Sequence, residues 1–268
     1  MMKQAEILVL GASGNVGSEV VRSLTGLGEP VRVGGSRPER LRDAFGDSVE
    51  ALRFDFTEPD TWAAAFAGMK KLFLMRPPAI ANIRRDMIPA LEAAKAAGVK
   101  EVTFLSLIGI EKLTMVPHWQ VEQWLRASGL EWTFLRCGFF MQNLSTTHRA
   151  EIRDDNEIFV PVGKAKTAFI DVRDIGAVAA LTLTQSGHAG KAYDLTGAEA
   201  FDYHQVASML SGGLGRTIHY RAPSGLAFFL RQLGQREPLM FALVTTWLYG
   251  NTRKGMAAAV TGEVERLL

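Results

Sequence analysis

Short, wholly apolar runs alternate with amphipathic stretches along the first half of the chain. Ile7 to Leu10 is four apolar residues in a row, the pattern of a strand covered on both faces. Ser18 to Leu27 follows with Val20, Val21, Leu24 and Leu27 near helical spacing, and Gly28 closes it. A second strand begins at Pro30 to Val33, a third covers Ala51 to Phe56, a fourth Lys71 to Met75, a fifth Glu101 to Leu107 and a sixth Trp132 to Leu135. Helical patterns lie between them. One starts at Pro38, and one follows Thr57 and Pro59. A long one runs from Ala79 to Ala97, where Pro89 predicts a kink or a late start. Another opens at Pro117, with His118, Val121, Glu122 and Leu125 on one stripe. This alternation predicts an α/β protein with a parallel sheet and helices on both faces.

After Asn143 the texture changes. Residues 144–166 are polar apart from Ile158 to Val162, which predicts loop and irregular strand. Ile170 to Asp174 leads into an apolar helix through Leu183, and Ala192 to Leu195 resembles a last strand. Phe201 to Leu210 reads as helix, Thr217 to Tyr220 as a short strand, and the chain from Pro223 onward as mostly helical. The expected division is a core domain over 1–198, with 144–166 an irregular insertion on the substrate side. A smaller, mostly helical substrate-binding region then covers 199–268. Phe228, Phe229, Leu230, Leu239, Met240, Phe241 and Trp247 are candidates to line a pocket for a flat apolar molecule, or equally to form core.

Composition removes some function classes. With 268 residues, 47% of them apolar, the chain can bury a large core. A net charge of +2 gives no electrostatic case for nucleic acid. The apolar run at the N-terminus is too short for a secretory segment, and Leu239 to Tyr249, broken by two threonines, is too short to cross a bilayer. Cys137 is the only cysteine, so no intrachain disulfide forms and a cytoplasmic setting is the default. No metal site is expected.

The chemistry concentrates in Gly11-Ala-Ser-Gly-Asn-Val-Gly17. Strand, glycine turn and helix form an anion site, because free N–H groups and the positive end of a helix dipole meet there. Gly11 permits the sharp turn, Gly14 removes a side chain where a phosphate must approach, and Gly17 brings helix close to strand. The spacing predicts dinucleotide binding. After the second strand the chain offers Ser36 and Arg37 rather than an acid, which predicts NADP(H) in preference to NAD(H). Asp55 stands near the adenine or is simply a carboxylate near a helix N-terminus. Met75, Arg76 and Pro77 end the fourth strand on the cofactor side, and Arg76 is a candidate for a phosphate or an acidic substrate. Ser106 ends the fifth strand, where it touches substrate or nicotinamide or bonds to backbone. His118, at a helix start, is the catalytic candidate, its imidazole biased towards neutrality; the alternative is a bond to local backbone or to Glu122.

Together these motifs resemble the NmrA-like, atypical branch of the short-chain dehydrogenases/reductases, whose members include NADPH-dependent quinone and azo-type reductases and NADP-sensing regulators. The resemblance covers nearly the whole chain and implies a Rossmann-type, doubly wound sheet. It makes Gly11, Ser13, Gly14, Asn15, Val16 and Gly17 the phosphate loop, Ser36 and Arg37 the 2′-phosphate site, and Asp55 with Phe56 the adenine contact. Cys137, Gly138 and Phe139 correspond to the loop passing the nicotinamide, with Phe140, Asn143 and Trp247 towards substrate. Thr114 and His118 stand where the wider superfamily has a tyrosine and a lysine, so that proton relay is not expected. Relatives often continue past the position of Leu268, so a further C-terminal helix is an open expectation. The function implied is an NADPH-dependent reductase of a quinone-like or other conjugated small molecule. A non-catalytic NADP(H) sensor that binds a protein partner, and a sugar-nucleotide epimerase-like enzyme, are the alternatives. A homodimer is left open, and neither nucleic acid nor membrane is expected as partner.

Overall fold

The computed structural model describes residues 4–268; Met1 to Lys3, within the expected first domain, lie outside the described residues. The described chain forms two compact units, one of residues 4–137, Val172–Leu195 and Glu263–Leu268, the other of Gly138–Asp171 and Thr196–Gly262.

The first unit holds a seven-stranded sheet. Its order across the sheet is Lys191–Leu195, Glu131–Cys137, Glu101–Leu107, Lys71–Met75, Ile7–Leu10, Val31–Gly35 and Val49–Arg53. Every neighbouring pair is parallel. The winding therefore reverses between Ile7–Leu10 and Lys71–Met75, and in such sheets ligands bind beyond the carboxyl ends of the strands at that reversal. All four residues of Ile7–Leu10 are buried, as an unbroken apolar run requires in a sheet covered on both faces. The Rossmann-type arrangement follows from this winding.

Local chemistry moves two boundaries. The third strand ends at Arg53 rather than Phe56, because the Phe54 N–H makes a last bond to the Gly35 carbonyl and Asp55 then turns the chain. The stretch read as one helix from Ala79 is two, Ile83–Asp86 and Ile88–Ala96, broken at Met87 with Pro89 in the first turn of the second. Proline lacks the donor that a continuous helix needs there. Asn82 starts the first of these helices by accepting the Arg85 N–H at 3.1 Å. The helix Val172–Thr184 packs on Asn15–Gly26 so closely that a Cβ on Gly176 would lie 2.7 Å from the Glu19 backbone.

The second unit has its own core, built from Ile152, Ile158, Val160, Val162, Phe169, Tyr203, Phe228 and Tyr249 among others. Phe139–Phe140, Thr167–Ile170 and Ala200–Phe201 form one small sheet, and Glu157–Phe159 pairs with His219–Arg221 in another. The helices Tyr203–Leu214, Gly225–Gly234 and Leu239–Arg253 complete it. The packing thus differs from a single cut at 198. The polar stretch 144–166 contributes buried side chains to this second core rather than an insertion on the first. The helix Glu263–Leu267 belongs instead to the first unit, where the Arg266 guanidinium stands 5.7 Å from the Tyr193 ring.

Candidate functional site

The glycine turn leaves the first strand at Gly11, whose φ of +75° is a conformation open to glycine at little cost. Gly14 closes the turn by donating to the Gly11 carbonyl at 3.0 Å and is the N-cap of the helix Asn15–Gly26. No side chain caps that helix and no acid stands in its first turn, so its leading N–H groups remain available to an anion. A Cβ on Gly17 would lie 2.2 Å from the Gly11 carbonyl oxygen, so glycine alone allows this approach of helix to strand. A Cβ on Gly14 would meet only that same oxygen, at 3.4 Å, and would otherwise stand in open space at the helix mouth. These are the residues a pyrophosphate cradle needs, and they fit one. Ser13 and Asn15 are exposed beside the turn, while Val16 is buried beneath it.

The carboxyl ends of the neighbouring strands carry the other candidates. Ser36 and Arg37 are exposed after Val31–Gly35. Among the described residues no ion pair involves Arg37, nor Arg40, which lies one turn further along the helix Pro38–Phe45 and is also exposed. Arg40 is a second cation beside the first; the Pro-Glu-Arg sequence made it visible without giving it a role. Asp55 is a turn device: its Oδ1 accepts from the Thr57 N–H at 2.8 Å and the Thr57 hydroxyl at 2.7 Å. The Phe56 ring is core, 6% exposed and edge-on to Phe54 at 4.9 Å, so only its backbone faces outward chemistry. Met75 packs against the turn, its sulfur filling the space where a Gly11 side chain would be.

Three candidates are absorbed by structure. Arg76 folds back over its own loop, and its Nη1 donates to the carbonyls of Pro77, Pro78 and Ile80 at 2.9, 3.2 and 2.7 Å. That occupies the cation that the sequence offered to a phosphate or an acidic substrate; its Nε is buried without a partner. Ser106 is buried and donates to Glu122 Oε1 at 2.7 Å. Its partner in the protein is this carboxylate and not the backbone. Glu122, fully buried, also accepts from Arg136 Nε at 3.0 Å and Nη2 at 2.7 Å. Burial pushes this carboxyl up from its usual range, while Ser106 and Arg126 pull it down. The Cys137 thiol is buried, weakly bonded to the Leu135 carbonyl, and burial pushes its pKa up, so it stays protonated and inert.

His118 is half-buried at the start of Pro117–Ala127 with its ring 6.0 Å from that of Phe104. It does not bond to Glu122, whose oxygens serve Ser106 and Arg136. Its Nδ1 is buried and without a partner. Burial, reinforced by the nearby Arg76 charge, lowers its pKa to about 3. An unfolded imidazole binds a proton near pH 6.5, whereas this one stays neutral down to about 3, so acid favours unfolding. The contribution is intact above about pH 6.5 and falls as pH drops towards 3. Between pH 7.5 and 5 the protein is expected to lose about 2 kcal/mol from this source. Urea unfolding of the wild type and of His118→Asn at both pH values checks this; parallel losses in the two proteins would reject it.

In the second unit, Phe139 and Asn143 line a cavity of about 480 Å³ together with Phe228 and Phe241. Phe140, Trp247, Phe229, Leu230, Leu239 and Met240 are not among its lining residues. Leu230, Leu239, Met240 and Trp247 stand exposed, at 47–67% of their surface. Gly138 opens this unit next to Cys137 in sequence. The same cavity is faced by a chain that no spacing announced. His148 Nδ1 pairs with Glu151 and its Nε2 lies 2.7 Å from the Tyr249 hydroxyl, across 101 positions of sequence.

Among the described residues no helix is long and apolar enough to cross a membrane, and no cluster of histidine, cysteine and acidic residues is built to hold a metal.

Comparison with known proteins agrees with this geometry. NAD(P)H azoreductase of Xenophilus azovorans is 37% identical over 222 residues, which are 81% of this chain and 76% of that one. Quinone oxidoreductase 2 of Escherichia coli is 26% identical, covering 87% and 84%. The triphenylmethane reductase of Citrobacter sp., solved with NADP(H), shares the fold: TM-score 0.84 at 23% identity, over 98% of this chain and 94% of that one. The pattern of the NmrA-like family matches residues 3–241. With that match over most of its length, and the azoreductase alignment beside it, the chain belongs to the NmrA-like family.

Proposed function

We propose that this protein is an NAD(P)H-dependent reductase that prefers NADP(H) and reduces a quinone-like or otherwise conjugated small molecule. The observation that carries the reading is the open, uncapped helix mouth at Gly11–Gly17, set where the sheet reverses its winding. Relatives named azoreductase and quinone oxidoreductase support the reaction class. The leading N–H groups of Asn15, Val16 and Gly17 hold the pyrophosphate, with Ser13 beside them. Ser36 and Arg37 take the 2′-phosphate, with Arg40 adding charge. The backbone at Asp55 and Phe56 borders the adenine. Met75 and Pro77 wall the nicotinamide half, with the backbone of Cys137.

When bound, the nicotinamide supplies the hydride. The chain's own task is to position the acceptor and exclude water, and reduction of a conjugated acceptor does not require a dedicated protein acid. His118 is neutral, so it acts as a hydrogen-bonding partner and not as a cationic acid. Steady NADPH consumption with a panel of quinones, azo compounds and enones tests the reading. Tight cofactor binding with no consumption by any acceptor would favour the sensor alternative, which the exposed Thr114 and neutral His118 in place of a tyrosine–lysine pair keep open. The same substitution weighs against an epimerase.

Cofactor preference has its own test. Arg37→Ala is expected to weaken NADPH binding by about 1.5–3 kcal/mol, roughly 10- to 150-fold, and to leave NADH nearly unchanged. Equal losses for the two cofactors would remove Arg37 from the 2′-phosphate site.

A further inference from the structure

The cavity of the second unit has a size and wall that suit a small organic ligand, about 480 Å³ with aromatic sides. Its charges are arranged unevenly. Arg231, the cation of the lining, is already held by Glu157 and by Asp155, the latter at 3.1 Å, and its guanidinium lies over the Phe159 ring at 4.3 Å. His148 is held between Glu151 and the Tyr249 hydroxyl. Glu237 also faces the cavity, is exposed, and has no ion pair among the described residues. Arg236, next to it in sequence, is not part of the lining. The cation of the wall, Arg231, therefore has its own carboxylates, while Glu237 has no cation.

Two of the polar groups left over are the amides of Asn143 and Gln232, beside the exposed Thr147 and Gln235. No side-chain hydrogen bond within the described residues engages the Asn143 amide, and Gln232, whose Oε1 accepts from Thr245 at 3.0 Å, keeps its NH₂ as a donor. Two neutral donors among aromatic rings match an uncharged carbonyl on a planar ring. They do not match an anion, which would enter beside Glu237 and Glu151 and find no free cation.

We propose that this cavity binds a planar aromatic molecule carrying an uncharged hydrogen-bond acceptor, that Asn143 and Gln232 receive that acceptor, and that Glu237 excludes carboxylate- or sulfonate-bearing analogues. As the acceptor site of the reductase it rests on the reading above. Binding without turnover is a separate question, so the test uses the purified full-length chain without any nicotinamide cofactor.

The probes are 2-acetonaphthone and 2-naphthoate, which share a ring system and differ in charge, followed by calorimetric titration. The ketone is expected to bind about tenfold tighter than the carboxylate at low salt. Glu237→Gln, an exposed substitution, should close most of that gap by strengthening naphthoate alone, and Glu237→Lys should reverse it. Asn143→Leu should weaken the ketone several-fold while leaving unsubstituted naphthalene unaffected, a split that a general loss of structure would not give. Equal affinity for ketone and carboxylate, or a gap that Glu237→Lys leaves in place, overturns the proposal. Failure of NADPH consumption with intact ketone binding would overturn the reductase reading and leave this one standing.

Discussion

Glu122→Leu is expected to lower the unfolding free energy by about 3–5 kcal/mol, the largest single effect in the first unit. The carboxylate is fully buried and accepts from Arg136 through two nitrogens and from Ser106 through its hydroxyl. Removing it leaves the Arg136 guanidinium, itself 6% exposed, with the half-exposed Glu111 and the charge of Asp194, and leaves Ser106 without a partner. A buried pair is worth less than the cost of breaking it, because most of that cost is the stranded charge. The double variant Glu122→Leu, Arg136→Met should therefore recover much of the loss. Urea unfolding of the four proteins of the cycle measures the coupling. If the double variant loses as much as the two single variants added together, the pair is not coupled and the description of this network fails.

The second large effect separates binding from folding within one turn. Gly17→Ala puts a methyl group 2.2 Å from the Gly11 carbonyl oxygen and 2.9 Å from the Ala12 nitrogen, so the helix must lift from the strand. Stability should fall by about 1–3 kcal/mol or more, and cofactor affinity should fall with it. Gly14→Ala meets nothing but one oxygen at 3.4 Å, and the φ of −90° at Gly14 suits alanine. Its stability should stay within roughly 0.5 kcal/mol of wild type. Its affinity for either nicotinamide dinucleotide should nevertheless drop at least tenfold, because the methyl stands where a phosphate must approach. Thermal unfolding together with a cofactor titration distinguishes the two. Unchanged cofactor affinity in Gly14→Ala would mean that the helix mouth is not where the dinucleotide binds.

The legible and illegible parts of this protein divide along a physical line. The strands Lys71–Met75 and Glu101–Leu107 match their sequence reading residue for residue, since a short, mostly apolar run between turn signals has few other fates. The roles of Gly11 and Gly17 were legible because backbone strain and close approach select glycine by local rules. Ser106 and Glu122 were not. On a sequence they are an isolated hydroxyl and an ordinary helical acid, 16 positions apart, and only the packing of helix on strand buries them together with Arg136. Arg76 was open to misreading for the same reason: its guanidinium turns to carbonyls that face it only once the loop has closed.

By itself the sequence determined the alternating architecture and the bare turn at the end of the first strand, because each depends on residue type and spacing within a few turns of chain, while the doubly wound order came only from the family resemblance. The tertiary structure alone decided how 138–171 and 196–262 join in one core, and that His148 meets Tyr249 across 101 residues. It also decided which charges are sealed inside pairs and which face a cavity. Those outcomes depend on contacts between distant segments and on the loss of water around them, and neither leaves a period in the sequence.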